Sequence, residues 1–431
     1  MTKRPSGDVV VVGAGMVGAA CALYAARAGL DVIVVDRGPV AGGTTGAGEG
    51  NLLVSDKEPG PELQLALLSS RLWHELAQEE LAAAVEYEPK GGLVVASTAQ
   101  SLTALTVLSA GQRAAGVRAV PVDAGELQDL EPHLAPGLAG GVLYPQDAQV
   151  MPSLAAAHLM RASGARLETG RTVTRILRGP GGAVRGVRTD RGDILAPAVI
   201  NAAGVEGAEV AALAGVGLPV LPRRGFVLVT EPLPPRVRHK VYAADYVADV
   251  ASDSAALQTS PVVEGTAAGP VLIGASRERV GFDRSFSLPV VRALAAGATR
   301  LFPFLEHVRA MRTYLGFRPY LPDHLPAIGP DPRAPGLFHA CGHEGAGIGL
   351  ATGTGRLLAQ MLTDASPELD LTPFRPDRFD PSAPFDRPHR AHHSPPPGRP
   401  ADRSDRSHRS DRSDRSDRSH RSDRSDRSDR A

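Results

Sequence analysis

Residues Asp8 to Asp36 read DVVVVGAGMVGAACALYAARAGLDVIVVD, and no other stretch constrains the fold of this chain as strongly. An apolar run, Val9 to Val12, leads straight into Gly13, Gly15 and Gly18. Small residues follow, then Gly29, a second apolar run from Val32 to Val35, and Asp36. The order is strand, tight turn, helix, strand, carboxylate. Each part has a task in holding a dinucleotide. Gly13 permits the sharp turn, Gly15 lets backbone approach a pyrophosphate, and Gly18 lets helix lie close to sheet. The helix start at Met16 offers unpaired N–H groups and the positive end of its dipole to phosphate. Asp36 stands where a carboxylate accepts ribose hydroxyls, with Arg37 beside it. A βαβ unit that binds nothing would leave the three glycines and the acid without a reason.

The other bounds are broad. The chain has 431 residues, enough for two or three domains, and its 42% hydrophobic content allows a sizeable core. Lys plus Arg equal Asp plus Glu at 47 each, so no global field favours nucleic acid or an anionic membrane. The two cysteines, Cys21 and Cys341, form no CxxC pair, which argues against zinc, iron–sulfur ligation or a disulfide framework. No apolar run reaches the ~20 residues of a membrane span, and MTKRPSGD lacks the apolar core of a signal peptide. The expectation is a soluble cytoplasmic protein.

Residues 1 to about 370 read as folded. From Pro381 the chain turns rich in Pro, His and Arg, and from Ala401 it becomes an Asp-Arg-Ser repeat with ten Arg against eight Asp. Without large apolar residues it cannot offset its ordering entropy, so disorder is expected over 381–431. An RNA-binding arm is disfavoured because interleaved Asp cancels the basic field.

Helix and strand signals alternate in the folded part. Helices are expected over Pro61–Leu81, Leu102–Ala115, Met151–Ser163 and Pro289–Phe302, with Trp73 in the core. Strands are expected over Tyr87–Ser97, in two pieces around the Gly-Pro-Gly-Gly turn within Arg166–Val187, and over Ile194–Ile200. From Gly225 the runs FVLVTEP, KVYAADYVADVA, AALQTSPVVEG and PVLIGAS suggest an antiparallel sheet. The chain then reads strand, Gly-rich loop and helix across GLFHACGHEGAGIGLATGTGRLLAQML. The fold class is α/β, α+β overall.

Four blocks carry a family resemblance: the Gly13–Asp36 fingerprint; the loop Gly42 to Asn51, GGTTGAGEGN; the strand ending Asn201-Ala202-Ala203-Gly204; and Gly316-Phe317-Arg318-Pro319 with Pro322-Asp323, followed by Gly342 to Gly349, GHEGAGIG. Together they resemble the FAD-dependent D-amino-acid oxidase superfamily, over about residues 7 to 365. The loops EGNLLVSDKEPGPEL and GHEGAGIGLATGTG look like the D-hydroxyproline dehydrogenase, opine oxidase and glycine oxidase subgroup. The resemblance implies a Rossmann-like FAD domain from residues 7–55, 145–222 and 323–368. A substrate domain with connecting helices would come from 56–144 and 223–322.

It also implies site residues. Thr44, Thr45, Gly48 and Asn51 would meet phosphate or flavin edges. Val173 would pass backbone along the adenine, and Ala203 and Gly204 would border the cofactor. Gly342, Gly345, Gly347, Ile348 and Gly349 lead into a helix whose positive end suits the charge that develops at flavin N1 and O2 on reduction. Arg318, in its GxRP context, would fork onto a substrate carboxylate, with Tyr242 or Tyr246 as the hydroxyl partner. His343 would bond flavin O4, the substrate amine or a backbone carbonyl. Glu344 and Glu49 are candidates to hold an ammonium group, and His324 reads as structural. No metal is implied.

The implied chemistry is oxidation of the C–N bond of a D-amino acid, glycine, sarcosine, hydroxyproline or opine. Hydride would pass to flavin N5 with the reacting C–H held at about 3–3.5 Å. Sarcosine oxidases carry a cysteine just before the PD turn that bonds FAD. Tyr314 to Tyr320 contains none, so non-covalent FAD is expected. Opine and hydroxyproline members often act with redox partner subunits; such a partner would make the chain a dehydrogenase. Two rivals stand beside this reading: an NAD-dependent dehydrogenase, which gives the GHEGAGIG block no role, and a noncatalytic FAD-binding or interaction protein working through its tail.

Overall fold

The computed structural model describes residues 6–244 and 257–380. The expectations for Tyr246 and for the 381–431 tail lie outside them.

Val9–Val12 is fully apolar because both its faces are covered. It forms the centre of a six-stranded sheet, in the order Ala327–Pro330, Leu337–Cys341, Ala198–Asn201, Val9–Val12, Val32–Asp36, Arg166–Thr169. Five strands are parallel, and only the Ala327–Pro330 edge runs antiparallel. The alternation of side chains divides the valines. Val9 and Val11 pack under the helices Met16–Arg27, Pro152–Ser163 and Gly347–Leu362. Val10 and Val12 pack under a three-stranded antiparallel sheet, Val173–Arg178, Val184–Thr189 and Gly192–Leu195. Each such burial stabilises the fold by about 1.5–3 kcal/mol.

Small residues let the helices approach closely. A Cβ on Gly355 would lie 2.6 Å from the carbonyl of Ala20, and one on Gly353 would lie 2.4 Å from Ser69 Oγ on the Pro61–Leu76 helix. The GTG run of the last helix is therefore a packing surface.

The second sheet has eight strands, in the order Ala310–Tyr320, Leu221–Thr230, Val271–Arg277, Gln258–Gly265, Lys240–Ala243, Gly92–Ala96, Gly140–Tyr144, Val120–Val122. It is antiparallel as expected, except where Lys240–Ala243 runs parallel to Gly92–Ala96. The Leu288–Leu301 helix covers one face, setting Val290, Leu294 and Ala298 against Phe226, Leu228 and Ile273.

One expected element is corrected. Ile194–Ile200 is not a single strand: Gly192–Leu195 and Ala198–Asn201 belong to different sheets. Pro197 lies in the break, where its missing N–H leaves no ladder bond to make. The Pro61–Leu81 helix is α-helical to Leu76 and ends in a wider π turn, Ala77–Leu81. Among the described residues no helix is long and apolar enough to cross a membrane.

Candidate active site

A cavity of about 740 Å³ opens at the carboxyl ends of the parallel strands and runs to the glycine-rich face of the eight-stranded sheet. This is where open α/β sheets bind ligands. Its walls come from both ends and the middle of the chain.

The first fingerprint is forced by sterics. Gly13 has φ +114°, and a Cβ there would sit 2.3 Å from the Ala202 carbonyl oxygen. A Cβ on Gly18 would sit 1.9 Å from Gly13 O. Asp36 Oδ2 accepts from Ala14 N at 2.6 Å and Oδ1 from Gly38 N at 2.7 Å, so the carboxylate organises both loops bordering that end of the cavity. Arg37 and Val173 line the same end, and Arg37 pairs with Glu206.

In the second loop the two threonines face different ways. Thr45 Oγ1 accepts from Met16 N at 2.9 Å and so caps the first helix from a distant segment. Thr44 Oγ1 donates to Phe317 O at 2.7 Å, tying the loop to the Ala310–Tyr320 strand. Gly48 lies against Ile348, where a Cβ would come within 2.9 Å of its Cδ1. Asn51 Oδ1 is buried without a hydrogen-bond partner. The third block ends in Ala203 and Gly204 at the cavity wall. Asn201 sets that turn, donating from Nδ2 to Gly207 O at 2.8 Å and accepting from Ala203 N at 3.3 Å.

The late glycine block reaches the cavity through Gly342, Gly345, Gly347 and Ile348. No side chain caps the Gly347–Leu362 helix, so its first N–H groups are left for other acceptors. Gly349 packs behind, against the backbone of Asn51 and Leu52. Trp73, 1% exposed, donates its indole N–H to Ile348 O and Gly349 O, each at 3.2 Å, and so fixes the helix entrance.

Arg318 lies in the cavity wall, its Nη1 donating to Ser276 O at 2.8 Å. The guanidinium rests over Gly225, where a Cβ would come within 2.2 Å of Nη1. His343 is buried, with Nε2 3.0 Å from Thr354 Oγ1. Thr354 Oγ1 also lies 2.9 Å from Leu350 O, so the hydroxyl links the ring to the helix backbone. Burial pushes its pKa down to about 4, and the ring is neutral at pH 7. Only Nδ1 remains for the roles expected of this histidine.

Two expectations are corrected. Tyr242 is fully buried and donates to Ser55 Oγ within a core network that includes Asp147, away from the cavity wall. Glu344 has both oxygens engaged, Oε1 by Arg223 and Oε2 by His324 Nδ1 at 2.9 Å. Burial acts to raise its pKa, but the His324 hydrogen bond and the Arg223 charge outweigh it and hold the carboxyl at about 2. It is a structural anion rather than a free one. His324 is structural as expected, with φ +61° in the turn.

Sequence reading missed Tyr314. It lines the cavity, donates to Gly48 O at 3.2 Å, and shares the alternation that brings Gly316 and Arg318 to one face. That two-residue spacing was the available signal.

These features fit FAD. The cavity pairs an uncapped helix start with a glycine fingerprint, an acid at the second strand's end and an orphaned buried acceptor, Asn51 Oδ1. Residues 8–361 match the family of FAD dependent oxidoreductases, and the chain belongs to it; it is an FAD-dependent enzyme. Glycine oxidase of Geobacillus kaustophilus is 30% identical over 85% of this chain and 96% of its own. The crystal structure of that enzyme superposes with a TM-score of 0.78 over 87% of this chain and 99% of its own, at 29% identity. Hydrogen cyanide synthase subunit HcnC of Pseudomonas aeruginosa is 36% identical over 60% of this chain, a match that spans 60% of that relative's length. L-proline dehydrogenase from P. horikoshii shares the fold, with a TM-score of 0.80 at 20% identity.

Proposed function

We propose that this enzyme oxidises the C–N bond of a small amino acid or secondary amine. The observation that carries the reading is Arg318, a guanidinium lying along a glycine-floored wall of the same cavity that the uncapped start of the Gly347–Leu362 helix borders. When bound, FAD supplies the hydride acceptor at N5. Residues Gly13 to Gly18 and Asp36 hold its adenosine diphosphate half, with Arg37 and Val173 beside it. Thr44, Thr45, Gly48, Asn51, Ala203 and Gly204 line its course, and Gly342, Gly345, Gly347 and Ile348 receive its ring, with Gly349 packed behind them. The cofactor is dissociable.

Arg318 receives the substrate carboxylate in two parallel hydrogen bonds, which fixes the α-carbon. Gly225 and Gly316 keep the floor flat beneath it, and Tyr314 bounds the pocket. No side chain of the pocket is required as a strong base, since the amine is oxidised in its neutral form and the imine product meets water after release. In this reading the six-stranded sheet serves the cofactor and the eight-stranded sheet the substrate. A redox partner subunit is the alternative electron acceptor to oxygen. The test is anaerobic addition of glycine, sarcosine, D-amino acids, both prolines, hydroxyproline and opines to FAD-loaded protein. Loss of the visible flavin band with at least one amine is expected. No bleaching by any of them overturns the proposal.

A further inference from the structure

Resting on that reading, we infer that Glu49 is the residue that recognises the substrate's amino nitrogen, and that it selects simple amino acids over those carrying a second carboxylate on nitrogen. Glu49 lines the cavity, yet it is only 8% exposed. Its Oε1 has no hydrogen-bond partner. A carboxylate in that state is strongly unfavourable unless a partner arrives.

The chain is built around this side chain. The carboxylate sits directly on Gly274, where a Cβ would lie 2.1 Å from Oε1 and 2.9 Å from Oε2. Any larger residue at 274 would displace it.

The sheet register relates Glu49 to Arg318. Leu228 faces Ile273, and Gly225 lies against Ser276, whose carbonyl oxygen a Cβ there would meet at 2.7 Å. On the other side Val227 faces Tyr314 and Gly225 faces Gly316. Glu49 sits on Gly274, and the Arg318 guanidinium sits over Gly225 and bonds Ser276 O, two residues along the same strand as Gly274. A carboxylate and a guanidinium side by side over a floor of glycines match an amino acid lying across them, its amine N–H donating to Glu49 and its carboxylate accepting from Arg318. An N-carboxyalkyl substituent, as in iminodiacetate, would bring a second negative charge toward Glu49.

The experiment is ligand binding to the FAD-loaded full chain, read by perturbation of the flavin spectrum and by ligand-induced shift in melting temperature. The probes are matched pairs that differ in nitrogen: glycine with glycolate, and each enantiomer of proline with tetrahydro-2-furoate, plus iminodiacetate. Wild type is expected to bind the better nitrogen-bearing probe about tenfold or more tighter than its oxygen counterpart and than iminodiacetate. Glu49→Gln should weaken the nitrogen-bearing probe by about tenfold while leaving glycolate and tetrahydro-2-furoate within about twofold. Arg318→Ala should weaken all of them. Absence of the preference in wild type, including no binding of any probe, overturns the inference; so does a preference that survives Glu49→Gln. The wild-type comparison decides even if the variant fails to fold. Binding preference without bleaching would contradict the oxidation reading and still support Glu49.

Discussion

A Cβ on Gly18 would meet the Gly13 carbonyl oxygen at 1.9 Å, a contact no rearrangement short of moving the helix can relieve. Gly18→Val is therefore expected to yield protein that melts lower and is purified without yellow colour; a variant retaining stoichiometric FAD would contradict the role given to that glycine. At Arg318, replacement by Lys keeps the charge but loses the planar fork. Arg318→Lys should raise KM for an amino-acid substrate by about tenfold or more, with FAD content unchanged; equal kinetics would show that the guanidinium does not meet the carboxylate. The glycines and Arg318 were legible in sequence because their backbone and chemical demands are local. Tyr242 and Glu344 were not. Their fates are set by Ser55, Arg223 and His324, which sequence separation hides.

At the scale of elements, the entrance to the Gly347–Leu362 helix is held by side chains that meet only in the fold. Trp73 clasps it from outside, and His343 shares a hydrogen bond with Thr354 within it. Because His343 is held at about 4 rather than its ordinary 6.5, the unfolded chain takes up a proton before the folded one does. Its contribution is intact above pH 6.5 and is lost as pH falls toward 4, by up to about 3 kcal/mol. Thermal melts across that window should show a steep acid decline in wild type and a shallower one in His343→Gln; parallel curves would refute the assignment. The existence and kind of these elements followed from periodicity and glycine placement. What escaped was the break at Pro197, since an apolar run reads alike whether it continues one strand or passes between two sheets.

Over the whole molecule, the first strand sits between Val32–Asp36 and Ala198–Asn201, and the late strand Leu337–Cys341 joins on the far side of Ala198–Asn201, so the nucleotide-binding sheet is complete only when both ends of the chain have met across that middle strand. The Asp-Arg-Ser repeat after Ala401 lies beyond the family match, which closes at residue 361. Deleting residues 381–431 should leave turnover within about twofold, since the repeat carries no residue the proposed site uses; loss of activity would give the tail a working role. The grouping of Glu49, Tyr314 and Arg318 in one cavity stayed illegible because long-range strand pairing brings them together, and register is not written in any local motif. The most direct test of the account is an anaerobic titration of purified protein, following the visible flavin band as an amino acid is added. The account predicts one dissociable FAD per chain that bleaches with a nitrogen-bearing substrate and fails to bleach in Arg318→Ala. A colourless protein that takes up no FAD, or one whose bound FAD bleaches equally well without Arg318, would contradict it.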